Sequence, residues 1–115
     1  MMGVLDAART RFAARPRNRM AMPEWTPDGE PVMEVFFKTP NAITLSEIEE
    51  ASKGNQFEQT ARLVVACAED QEGQKLFAPG DHKDLLIFTD PVALGRLGRA
   101  IMAGASIDAE QAAKN

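Results

Sequence analysis

The sequence predicts a mostly helical α+β fold, one β-hairpin packed with about four short helices. Three features predict it. Apolar residues alternate on either side of Pro27-Asp28-Gly29, a turn in which Pro fixes φ and Gly accepts positive φ. Phe57, Ala61, Val64, Val65 and Ala68 recur at the spacing of one helix face. Asp90-Pro91 places a capping carboxylate before a proline suited to the first helical position.

Each element follows in order. Val4, Leu5, Ala8 and Phe12 make 2–14 a short amphipathic helix that Pro16 ends. Arg19 to Met22 and Val32 to Phe37 are the hairpin strands. On the second, Met33, Val35 and Phe37 share one face, and Val32, Glu34 and Phe36 the other. Pro40-Asn41 closes the hairpin. Thr44 and Glu47 fit a capping box, opening a helix with Leu45, Ile48 and Ala51 inward and Gly54 as its stop. Asn55 caps the next helix, with Glu58 three residues on, and this helix is expected to pack across the hairpin. Asp70 to Gly73 is a turn, and Leu76 and Phe77 return the chain to the core. Asp81 caps a short helix through Leu85, Leu86 and Phe88. The last helix runs from Asp90-Pro91 to about Gly104, with Leu94, Leu97, Ile101 and Ala105 on one face. The domain division is a basic arm over 1–16, one α+β domain over 17–105 and a flexible tail over 106–115.

Charge is distributed unevenly. Residues 1–19 carry Arg9, Arg11, Arg15, Arg17 and Arg19 against Asp6, a net of +4. The remainder carries 8 basic and 16 acidic side chains, a net of −8. An acidic body repels phosphate, which disfavours a broad nucleic-acid surface. The 115 residues fit one domain with one modest core. A lone cysteine, Cys67, suits a reducing cytoplasm. No stretch has the length and apolarity of a membrane span.

The search for chemistry finds no catalytic group, no metal site and no cofactor motif. His82, the only histidine, reads as a solvent-facing first-turn residue. Cys67 reads as a small buried packer rather than a nucleophile. Asp70, Glu72 and Gly73 lack the order of a calcium loop. Gly95 and Gly98 form no phosphate-binding fingerprint, and read as small residues that let helices approach. No serine sits in a nucleophile elbow and the chain has no tyrosine. Such a chain is expected to act by binding other proteins and not as an enzyme.

The order of elements carries a resemblance. A basic segment leads through Pro23-Glu24-Trp25 into a hairpin strand, then two helices. A charged turn and Leu76-Phe77 follow, then a short acid-capped helix and a final helix. With the stretch Ala61-Arg62-Leu63-Val64-Val65-Ala66-Cys67-Ala68-Glu69-Asp70, this order resembles the tail assembly chaperones of long-tailed bacteriophages and prophages, over Arg15 to Ala105. The resemblance implies binding to the tape measure protein and to tail tube subunits during assembly, in the host cytoplasm, with absence from the mature virion. It implies no catalytic residue. Many members of that family come with a longer, frameshifted product.

Two further readings stay open on the residues: a small nucleic-acid-binding regulator using the arginine-rich arm, and a structural head–tail connector protein. The face placed against a partner is Leu94, Leu97, Ile101 and Met102 on the final helix, the competing role for these residues being core. A strand edge near Val32 and Phe36 is the candidate for self-association into a homo-oligomer.

Overall fold

A computed structural model describes residues 3–106. Five helices and a two-stranded antiparallel hairpin make up the fold: α1 (Val4–Ala13), β1 (Asn18–Ala21), β2 (Glu34–Phe37), α2 (Ala42–Ser52), α3 (Gln56–Cys67), α4 (His82–Phe88) and α5 (Pro91–Ala103). The α+β, mostly helical architecture is the one the sequence predicts.

The core is built around α3, which packs against α2, α4 and α5. This differs from the expected seat across the hairpin. A helix with neighbours on three sides buries more than one stripe, so Leu63 and Cys67 join Ala61, Val64 and Ala68 inside. Phe57, in the first turn, lies beyond that cover and is exposed. Burial pushes the Cys67 thiol up to about 11, away from the reactive thiolate.

The hairpin pairs Asn18 with Phe37 and Met20 with Val35. Val35 and Phe37 point into the core and Met33 packs against it, as the alternation requires. On the other strand Met20, Ala21 and Met22 are buried in succession, so the expected alternation fails there. The connection is long and held from within. The Met22 N–H donates to Met33 O at 2.8 Å. The Thr26 hydroxyl donates to Met22 O at 2.8 Å and accepts from Met33 N–H at 2.9 Å. Gly29 takes φ 82° in the Pro27–Glu30 turn, the conformation that needs glycine.

Caps explain most helix boundaries. Asn55 Oδ1 accepts from Glu58 N–H at 3.0 Å, and Asp90 Oδ1 from Val92 N–H at 2.8 Å. Helix α2 starts three residues earlier than the Thr44 box implies. Asn41 is its cap, accepting from Thr44 N–H at 2.8 Å, which makes Thr44 the third helical residue. Asp81 also acts differently from the expectation. Its carboxylate accepts from Ala78 N–H at 2.8 Å, closing a 3₁₀ turn ahead of α4 rather than capping α4 itself. Ser106, read as the first tail residue, is tied to β1. Its hydroxyl accepts from Arg19 N–H at 3.1 Å and donates to Asn18 Oδ1 at 3.2 Å. Residues 107–115 of that tail lie outside the described residues.

One ion pair spans the fold. Arg96, buried on α5, donates to Glu24 Oε2 at 2.5 Å and so fastens the Pro23–Trp25 turn to the last helix. The Arg96 hydrogen bond is the main reason the Glu24 carboxyl is held below its ordinary 4.5. A depressed folded value means the stabilisation is present above the unfolded value and disappears as pH falls through the folded one. Glu24→Gln is therefore expected to lower stability at neutral pH and to flatten the loss of stability below 4.5. Urea unfolding at a series of pH values checks this. Parallel profiles for the two proteins would contradict it.

Candidate docking surface

The final helix does not offer the face assigned to it from sequence. Leu94, Leu97 and Ile101 are core residues, with Leu97 and Ile101 at 0% exposure. Only Met102, at 50%, reaches the surface. The correction has a simple cause: residues three and four apart on a helix share one stripe, and α5 turns that stripe onto α3. Gly98 sits at the contact, where an added Cβ would lie 2.7 Å from Thr60 Cγ2.

The strand edge near Val32 and Phe36 is corrected as well. Phe36 N–H donates to Glu69 O at 2.9 Å, and Glu69 N–H donates to Phe36 O at 2.8 Å. The segment after α3 thus pairs with β2, and Glu69 pairs in turn with Lys75. Arg17 seals this corner, donating to Asp70 O at 2.9 Å and Gln71 O at 2.6 Å, with its guanidinium over the Phe36 ring. A second copy cannot add a strand at backbone groups that are already paired. Val32 is exposed but lies before the strand.

A different apolar surface lies at the α4–α5 corner. Helix α4 ends Leu85-Leu86-Ile87-Phe88, four large apolar residues in succession. Successive helical residues are about 100° apart, so one short helix cannot turn all four inward. Leu85 takes the inward position. Leu86 is exposed, Ile87 and Phe88 are 69% and 78% exposed, and Val92, the second residue of α5, is 64% exposed. The corner is anchored on both sides. Thr89 Oγ1 donates to Leu85 O, ending α4, and Asp90 caps α5. Neighbouring exposed apolar side chains on rigid supports mark a binding surface more strongly than scattered ones do. The sequence signal was present in the unbroken apolar run, read there only as a short helix through Leu85, Leu86 and Phe88.

His82 is buried, not solvent-facing. Its Nδ1 lies 3.3 Å from Pro79 O, at the join between the 3₁₀ turn and α4. Among the described residues no group of three or more His, Cys, Asp or Glu is placed to hold a metal ion. No helix among them is long and apolar enough to cross a membrane. The arginine-rich start is divided in use. Arg17 and Arg19 belong to the body, Arg19 pairing with Glu34 at 3.3 Å, while Arg9 and Arg11 stay on α1.

No family model, curated protein or solved structure matches this chain.

Proposed function

We propose that this protein is a tail assembly chaperone of a long-tailed phage or prophage, acting in the host cytoplasm and absent from the finished virion. It binds the tape measure protein, and with it tail tube subunits, before the tube polymerises. The α4–α5 corner is the observation that carries the reading. Leu86, Ile87, Phe88 and Val92 are exposed apolar side chains within seven residues of one another at the junction of the two helices. An unsheathed tape measure protein is a long helical chain whose apolar faces need temporary cover. A corner of three or four apolar side chains supplies that cover with modest affinity per copy, and repetition along the client supplies avidity. The order of elements from Arg15 to Ala105 supports the same role.

Co-expression tests this. The wild-type chain is expected to raise the soluble fraction of the tape measure protein encoded beside it and to co-purify with it. Phe88→Asp and Ile87→Asp, at exposed positions, should fold normally by circular dichroism and lose most of that effect. A client equally soluble with and without the chaperone would defeat the proposal.

A further inference from the structure

A basic cleft lies on a chain whose residues after 19 sum to −8. It measures about 360 Å³ and gathers Arg15, Arg17, Lys38 and Lys75 around a single carboxylate, Glu69. Like charges held this close repel one another, and a ligand of opposite sign relieves that repulsion.

The relief available within the protein is partial. Glu69 is shared between two cations, Arg17 at 3.6 Å and Lys75 at 3.9 Å. Arg17 is also held by Asp70 O and Gln71 O, and Lys75 by Ala66 O, so both are tied into the fold. Arg15 and Lys38 are different: neither enters an ion pair among the described residues. Arg15 Nε donates to Phe12 O at 3.0 Å, and its guanidinium lies over the Phe12 ring at 3.8 Å. These contacts orient the guanidinium and leave its charge unneutralised. Helix α2 adds a third source of positive potential. Its cap Asn41 and first-turn Thr44 both line the cleft, so the positive end of an eleven-residue helix faces it.

We propose that this cleft binds an acidic segment of a partner protein, a short run of Asp or Glu side chains. Arg15 offers its two terminal nitrogens to one carboxylate, Lys38 meets a second, and the start of α2 favours their negative charge. The size of the cleft and the charge around it select a short segment over a nucleic acid. A polyanion longer than the cleft would overrun onto the acidic body and be repelled there. The cleft shares no lining residue with the α4–α5 corner, so this site stands whether or not the chaperone reading does.

Fluorescence anisotropy of the full chain with a labelled short oligoglutamate peptide tests it. Saturable binding is expected at low salt, weakening as salt rises, with none for oligoglutamine. Arg15→Glu and Lys38→Glu should each raise the dissociation constant about 10-fold or more. Lys83→Glu makes the same change of net charge at an exposed position outside the cleft, and should raise it less than about twofold. Arg15→Gln and Lys38→Gln remove a charge without adding one and should fall between these limits. Circular dichroism checks folding, and a glutamate variant that unfolds is replaced by its glutamine counterpart. Absence of saturable binding, wild-type affinity in the cleft variants, or an equal loss in Lys83→Glu would each overturn the proposal. Tighter binding of an oligothymidylate of equal charge would also overturn it, making the cleft a nucleic-acid site.

Discussion

Leu97→Ala is expected to lower the free energy of unfolding by about 2–5 kcal/mol. Leu97 is fully buried, between Leu94 and Ile101 on the face that α5 turns to α3. Truncation removes the transfer energy of its methyl groups and leaves a cavity that rigid helices fill only in part. Met102→Ala, one turn further on and half exposed, should change stability by no more than about 0.5 kcal/mol. Urea unfolding followed by circular dichroism measures both. The contrast decides the role of this helix face. A mild loss at Leu97 would return it to the surface as a binding residue, whereas a large loss fixes it as core.

The second large effect is at Gly98. Glycine in a helix interior costs about 1 kcal/mol against alanine, so Gly98→Ala would stabilise an open site. Here the new Cβ would meet Thr60 Cγ2 at 2.7 Å, closer than such atoms approach. Thr60 is not free to yield, because its hydroxyl donates to Gln56 O at 3.0 Å. Overpacking is therefore expected to outweigh propensity, with a net loss of about 1–3 kcal/mol. Adding Thr60→Ala removes Cγ2 and leaves Cβ at 3.8 Å, an ordinary contact. The double variant should recover wild-type stability or exceed it. Thermal or urea unfolding of the two singles and the double completes the cycle. A stabilising Gly98→Ala single variant would show that α3 and α5 are not in close contact there.

Local chemistry was the legible part of this sequence. The Asn55 and Asp90 caps, the Pro27–Gly29 turn and the Gly104 stop act over two to four residues, and each appears where the residues place it. The misreadings of packing and pairing share one origin, which is distance along the chain. Nothing in the neighbourhood of Arg96 indicates Glu24, 72 residues earlier, as its partner. The pairing of Glu69 with Phe36 is equally remote, and it closes a strand edge that looks open from the hairpin alone. Helix α3 reads as a one-sided stripe but sits among three helices, so its true buried set is wider and shifted away from Phe57. His82 reads as solvent-facing because its helix is short, and the preceding 3₁₀ turn buries it.

The functional surface was partly legible for a different reason. Amphipathic patterning identifies which residues of α5 are apolar, but core and docking face obey the same periodicity. Leu94, Leu97 and Ile101 could serve either role until α5 had a neighbour. The run Leu85 to Phe88 breaks the periodicity, and that break was the better indicator of an exposed apolar surface.

The central claim is that this chain works by covering apolar surface of a helical client with the α4–α5 corner. Amide hydrogen exchange of the full chain, alone and with the tape measure protein, addresses it directly. The account predicts slowed exchange over Leu85 to Ala93 on adding the client, with α1 and the hairpin unchanged at fixed chaperone concentration. Protection confined to other segments, or none at all in a stable complex, would contradict it.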